Sequence, residues 1–186
     1  MTTPRRIGDH VLNPLFGWPN PYTPRIRARL STNVTVPVYA GRVGHLNNSK
    51  EIELGLPDVN KACHMPLFIM SNSDDPDAYA YGGNPSTDIA VWAAARPDAT
   101  KPQLLCLPAT GGLEVETTEF DTTATYNPGD ALTATDSNTT AAGGQIVKTT
   151  AYAKPLCGVV SRGVRRNEQG KDVLALWPVW LPRNQA

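Results

Sequence analysis

Turn-forming residues recur at short intervals along this chain and limit it to short elements of secondary structure. The sequence of 186 residues contains 17 prolines and 15 glycines. Gly-Gly, Asn-Pro and Pro-Gly pairs mark strong breakers at residues 82–85, 111–112, 127–130 and 143–144. Their close spacing favours short strands joined by turns over β-α-β units. The sequence therefore predicts a mainly β fold, a compact β-barrel or sandwich of the β-tulip or jelly-roll kind.

The segments between these breakers have the composition of strands, because β-branched and aromatic residues alternate with polar ones. The predicted strands cover residues 34–39, 50–56, 113–126, 145–152, 157–161 and 172–180. Residues 89–95 fit a short capped helix or a strand equally well.

The last predicted strand is apolar on both faces, with Val173 and Trp177 on one face and Leu176 and Trp180 on the other. We expect the core to cover one face and something else, such as another subunit, to cover the other. Pro178 cannot donate a ladder hydrogen bond, which predicts an edge position or a bulge.

The first thirty residues combine frequent prolines with aromatic and basic side chains. This composition predicts an extended N-terminal arm over residues 1–33 that docks on a neighbouring surface, with a β domain over residues 34–186. A disordered tail is the alternative. The predicted interface residues are Arg5, Arg6, Phe16, Trp18, Tyr22, Arg25, Arg27 and Arg29 of the arm, together with Trp180.

Charge is balanced overall but unevenly distributed. The 17 basic and 17 acidic side chains give a formal net charge of zero, which argues against a general attraction to nucleic acid or to an acidic membrane. Residues 1–42 contain six arginines and one aspartate, whereas residues 74–136 contain eleven acids and two bases. Such a chain can attract copies of itself, although an uneven solvated surface accounts for the pattern equally well.

Apolar runs are too short to cross a bilayer, and no apolar stretch follows the basic N-terminus. We therefore expect synthesis and folding in the cytosol. Three widely spaced cysteines, Cys63, Cys106 and Cys157, match neither a disulfide framework nor a zinc site, so buried thiols are expected.

The sequence lacks the common catalytic and metal-binding motifs. The chain has no nucleophile elbow, no zinc-protease helix and no phosphate-binding glycine loop. His10 falls in the predicted arm, His45 in a predicted surface turn, and His64 beside Cys63 on what would be the opposite face of a strand. No catalytic residue, cofactor or metal site is therefore predicted.

Acidic and basic clusters have ordinary explanations. Asp74, Asp75 and Asp77 suggest a loop calcium site, but the spacing is not that of an EF-hand. Glu114, Glu116 and Glu119 suggest glycoside hydrolysis, yet Glu114 and Glu116 alternate with apolar residues as on the wet face of a strand. The arginine cluster at 162–166 is interpreted as a charged hairpin tip rather than a phosphate site.

The C-terminal half, from about residue 104 to 182, resembles the small β-rich capsid decoration, or cement, proteins of tailed bacteriophages. The likeness lies in the order of a Tyr-x-Pro-Gly-Asp turn, a Gly-Gly turn, a Gly-Val-Val strand and a Trp-Pro terminal strand. The segments that carry it are 107–121, 126–134, 143–148, 158–163 and 176–182.

The resemblance implies a noncatalytic virion protein on the outer capsid surface, commonly a trimer with arms that cross neighbouring subunits. Its expected partners are the phage major capsid protein and copies of itself, without nucleic acid or membrane. A phage tail, baseplate or head-fibre component is the structural alternative. A β-sandwich hydrolase or carbohydrate-binding module, using the aspartates at 74–77 or surface tryptophans, is the third, although Trp177 and Trp180 cannot form one platform.

Overall fold

The computed structural model of the chain describes residues 10, 12–16, 25–57, 64–70, 103–109, 112–150, 154–168 and 170–181. These residues form strands and connecting loops without a helix. The strands are β1 (Leu12–Phe16), β2 (Ile26–Arg29), β3 (Val43–Leu46), β4 (Ile52–Leu54), β5 (Leu67–Ile69), β6 (Gln103–Pro108), β7 (Glu114–Thr117), β8 (Ala131–Ala134), β9 (Ile146–Lys148), β10 (Leu156–Arg166) and β11 (Asp172–Leu181).

The strands form two antiparallel sheets, which confirms the predicted mainly β fold of a compact barrel or sandwich. Sheet A has six strands in the order β1-β7-β11-β10-β8-β9. Sheet B has five strands in the order β2-β6-β5-β3-β4. Sheet A is thus built almost entirely from residues 114–181, with β1 added at one edge.

Sheet B curls into a half-barrel whose two edges meet. Leu30, just after β2, forms a parallel bridge with Ile52 of β4, and the Ser31 amide donates to the Ile52 carbonyl at 2.9 Å. Alternate side chains of the strands therefore point into one interior. The buried residues that fill it are Leu30, Val34, Val38, Ile52, Leu54, Leu67, Ile69, Leu104 and Cys106.

A second core lies between the two sheets. Val43, Phe68 and Leu107 of sheet B contribute to the same buried cluster as Val115 and Leu174 of sheet A. Sheet B is consequently apolar on both faces, one toward its own interior and one toward sheet A.

Two stretches of the predicted arm are strands of the chain's own sheets. β1 pairs with β7 at the edge of sheet A, and β2 pairs with β6 at the edge of sheet B. Leu12 and Ile26 pack against the two cores, which gives these stretches a reason to dock within the chain. Pro14 is accommodated because β1 is an edge strand with a register shift beside it. The domain boundary at residue 33 stays a prediction.

Several predicted strands are confirmed, and others are shorter or wrong. Those at 50–56, 145–152, 157–161 and 172–180 correspond to β4, β9, part of β10 and β11. β7 occupies only the start of 113–126. The strand predicted at 34–39 is an irregular loop. Its alternation arises because Val34 and Val38 bury their side chains in the half-barrel without joining a ladder. Residues 89–95 lie outside the described residues.

Strand β11 confirms two sequence predictions. Its residues 173–176 are buried on both faces. Pro178 lies beyond the stretch of β11 that pairs with β7 and next to a register shift against β10. No carbonyl of β7 therefore depends on residue 178 for a backbone hydrogen bond, and proline is tolerated there.

The backbone of Gly55, just after β4 in the half-barrel, lies very close to the backbone of the loop before β9. Its φ is +84°, and a Cβ there would lie 2.1 Å from the Thr135 carbonyl oxygen. Gly55→Ala should lower the free energy of unfolding by about 2 kcal/mol or more, through backbone strain and crowding together. Urea denaturation measures this loss.

Gly112→Ala is the matched control, because Gly112 has a φ of +76° and a Cβ added there would meet no atom within 4 Å. It should lose only the strain contribution, about 1 kcal/mol. Equal losses in the two variants would contradict the close approach at Gly55.

Candidate functional site

The predicted arginines of β2 form an exposed row at the edge of sheet B. Arg25, Arg27 and Arg29 are exposed, whereas Ile26 and Ala28 between them pack toward the interior of the half-barrel. Alternate residues of a strand lie about 6.6 Å apart on one face. The row therefore presents three evenly spaced positive charges, and it also discourages pairing of this edge with other strands.

The other predicted interface residues are not brought together with this row. Phe16 ends β1, where its backbone lies opposite Glu114. Trp180 is only partly buried and packs against the core between the sheets. Its Nε1 is buried and has no hydrogen-bond partner among the described residues. Arg5, Arg6, Trp18 and Tyr22 lie outside the described residues.

The face of sheet A that points away from sheet B, here called the outer face, holds two buried carboxylates. The expectation that Glu114 and Glu116 lie on a wet face is wrong, because both are buried. Arg162 Nη2 donates to Glu114 Oε2 at 2.7 Å, and Arg165 Nη2 donates to Glu116 Oε2 at 2.5 Å. Each buried carboxylate thus has a guanidinium partner that offsets part of the cost of its burial.

These ion pairs cross a strand. The arginines are on β10 and the glutamates on β7, with β11 between them. Ala175 of β11 lies opposite both Glu116 and Gly163, so small residues leave room for the long side chains to pass. The side chains of Arg162 and Arg165 therefore cover part of the outer face of β11. The sequence alone suggests another subunit, among other possibilities, as the cover of this face.

The arginine cluster at 162–166 belongs to the β10–β11 hairpin, as expected. A register shift between Val160 and Gly163 displaces Arg162, and Gly163 adopts a φ of +78° there. Arg166 lies 3.5 Å from Asp172 near the turn. The pairing with Glu114 and Glu116 was missed because it depends on the order of strands in the sheet.

A buried ion pair joins the two sheets. Arg42 Nε donates to Glu119 Oε2 at 2.9 Å, and the two side chains are 4% and 5% exposed. The remaining guanidinium nitrogens donate to the carbonyls of Ala141 at 2.8 Å and Gly143 at 3.1 Å. Arg42 precedes β3, whereas Glu119 follows β7, so one guanidinium fastens both sheets and the loop before β9.

His10 attaches the start of β1 to this pair. Its Nδ1 lies 2.5 Å from Glu119 Oε1, and its ring stacks on Tyr39 with centroids 3.7 Å apart. Leu12 lies opposite Thr117 at the start of β1, so His10 and Glu119 lie just beyond the paired ends of β1 and β7. Both oxygens of Glu119 hold structural partners, which makes this His-carboxylate pair an anchor for the N-terminal strand. The sequence had placed His10 only in the arm.

The expectation that His45 lies in a surface turn is wrong. His45 is in β3 and buried, with Nδ1 2.9 Å from the Gly55 carbonyl oxygen. Its ring centroid is 4.5 Å from that of His64. Burial lowers the pKa of His45 below its ordinary value.

Two cysteines are buried thiols, as expected. Burial raises the pKa of Cys106 and of Cys157 to about 12, whereas Cys63 lies outside the described residues. Within the described ranges, no group of three or more histidine, cysteine, aspartate or glutamate side chains is arranged to hold a metal ion. The aspartates at 74, 75 and 77 lie outside the described residues, so this search does not cover them.

Comparisons of the chain with protein-family models, with curated proteins and with solved structures found no match. Among the described residues, no helix has the length and apolar character needed to cross a membrane.

Removing the guanidinium of Arg42 should be strongly destabilising. Arg42→Met leaves the buried Glu119 carboxylate without its positive partner, and we expect a loss of about 3–5 kcal/mol in the free energy of unfolding. Arg166→Met is the control, since Arg166 is 78% exposed and its ion pair should contribute less than about 1 kcal/mol. Chemical denaturation compares them, and similar losses would contradict the anchoring role of Arg42.

His45 should make stability fall in mild acid. Because its pKa is lower in the folded state, the unfolded chain binds the extra proton first. The free energy of unfolding should therefore decrease as pH falls below about 6.5, and the decrease should stop below the lowered folded-state pKa. His45→Gln should show a shallower decrease over this interval in urea titrations at several pH values. An unchanged slope would contradict the assignment of this pH dependence to His45.

Proposed function

We propose that this protein is a structural virion protein that binds the outer surface of a phage capsid. It stabilises the shell by bridging major capsid proteins, as a homotrimer, after synthesis in the bacterial host cytoplasm. It acts without catalysis or a cofactor.

The proposal is supported by the positions, within the fold, of the sequence segments that resemble capsid decoration proteins. The segments that resemble capsid decoration proteins begin at β6 and then follow β7 to β11, and β7 to β11 are five of the six strands of sheet A. Apart from the end of β6, which belongs to sheet B, the motifs are therefore parts of sheet A and its connecting turns. A decoration protein needs such a compact β unit as a rigid base for the surfaces that contact the shell.

The carboxylates that suggested glycoside hydrolysis support a noncatalytic role. Glu114, Glu116 and Glu119 each accept a hydrogen bond from a separate arginine. A general acid must be able to reach the substrate, whereas these three carboxylates are buried and hydrogen-bonded to arginines of the same chain. Their positions suit stabilisation of the fold.

The arginine row of β2 is the proposed contact with the capsid. Arginine side chains dominate many protein interfaces because they combine charge, several donors and a long apolar stem. Repeated weak contacts on a lattice gain strength through effective concentration when one oligomer touches several subunits.

Neutralising the row should weaken capsid binding. In co-sedimentation with expanded, undecorated capsids of the encoding phage, the triple variant Arg25→Gln, Arg27→Gln, Arg29→Gln should bind about three- to hundredfold more weakly. A matched variant carries glutamine at Lys50, Lys154 and Lys171, which are also exposed, and should bind like the parent chain. Equal weakening would show nonspecific charge attraction.

The same experiment tests the proposal itself. A trimer by light scattering that pellets with capsids supports it. Failure of the parent chain to pellet contradicts the capsid role, and labelling of purified tails then distinguishes a tail or baseplate component.

A further inference from the structure

One group of side chains on the outer face of sheet A has no part in the proposed capsid contact. Leu176 lies opposite Val115, so the next residues along these strands, Trp177 and Glu114, are side by side on the outer face. Trp177 is 36% exposed, and among the described residues only Val164 is another exposed large hydrophobic side chain. Arg162 reaches the same place through its hydrogen bond to Glu114.

Glu114 has an unused acceptor. Its Oε2 accepts from Arg162, whereas its Oε1 is buried and has no hydrogen-bond partner among the described residues. A buried acceptor without a donor is energetically unfavourable. A molecule that brings a hydroxyl donor to this oxygen recovers that energy.

Arg162 supplies donors beside this acceptor. Its side chain is 60% exposed, and a guanidinium has five N–H groups, of which the hydrogen bond to Glu114 uses one. The bond to the carboxylate holds the guanidinium at Glu114, whose neighbour on β11 is Trp177.

The two described ion pairs on this face contribute no net charge, and this limits the kinds of ligand that can bind there. Glu114 and Glu116 balance Arg162 and Arg165, so an anion meets no net positive charge. The single indole is also small beside the roughly 800 Å² that each partner buries in a stable protein interface. A neutral molecule with an apolar ring face and several hydroxyl groups fits both limits.

We infer that Trp177, Glu114 and Arg162 bind a neutral saccharide. One face of the sugar ring stacks on the indole, one hydroxyl donates to Glu114 Oε1, and another accepts from Arg162. The site uses a single tryptophan, so it does not need Trp180, which packs against the core from the other face of β11. It is independent of the proposed capsid role.

The test uses the full chain labelled with 5-fluorotryptophan and observed by fluorine NMR. The chain has four tryptophans, and Trp177→Phe assigns the resonance of Trp177. Glucose, galactose, mannose and N-acetylglucosamine are titrated into the millimolar range. We expect at least one sugar to shift the Trp177 resonance saturably while the Trp180 resonance stays in place.

Variants then separate the three contacts. With the sugar that binds, Glu114→Gln should weaken affinity about tenfold or more, because the charged acceptor is lost. Glu116→Gln is the matched control, since it alters the neighbouring glutamate-arginine pair away from the indole, and should change affinity less than about twofold. Trp177→Ala should abolish saturation transfer to the sugar, with thermal melting as the check on folding.

Several outcomes would overturn the inference. They are a Trp177 resonance that no sugar moves, sugar binding that survives Trp177→Ala, and equal losses in the two glutamine variants. A Trp177 shift caused by sulfate or by an acidic peptide, with none caused by sugars, would assign the face to anions instead. If Glu114→Gln does not fold, saturation transfer in Trp177→Ala decides the matter alone.

Discussion

The buried ion pair between Arg42 and Glu119 is the constraint on which the arrangement of the two sheets depends. Removing two charges from water is costly, and this cost is met only where each charge is fully engaged. Arg42 satisfies the requirement with Glu119 and two loop carbonyls. His10 uses the second oxygen of the same carboxylate. Sheet A, sheet B, the loop before β9 and the start of β1 therefore share one electrostatic anchor.

The same principle governs the outer face of sheet A. There the small Ala175 on β11 lets arginines from β10 reach glutamates on β7. The resulting pairs cover a strand that is apolar on both faces. The arginines of β10 compensate buried acids, and those of β2 are exposed along the edge of sheet B.

Sequence patterns predicted the fold class well because turns and alternation are local properties. β10 and β11 follow directly from their alternation, and Pro178 correctly indicated a position with one free side. The irregular loop at 34–39 has the alternation of a strand because Val34 and Val38 are buried at the same spacing. The prolines and arginines of β1 and β2 suit an edge strand and an extended arm equally, so the sequence alone does not predict their pairing with β7 and β6.

The charged clusters could not be predicted, because they depend on strand order and register. Nothing in the alternation of Glu114 and Glu116 indicates that arginines two strands away will bury them, nor that His10 will meet Glu119. Even so, some of the charged and aromatic residues noted along the sequence form these surfaces: Arg25, Arg27 and Arg29 form the arginine row, and Glu114, Glu116 and Trp177 lie on the outer face.

The capsid role is tested most directly by the copy number of the chain in purified virions, measured by quantitative mass spectrometry against the major capsid protein. The proposal predicts a copy number comparable with that of the major capsid protein. A copy number that is a small fraction of it, or absence from the virion, would contradict the proposal.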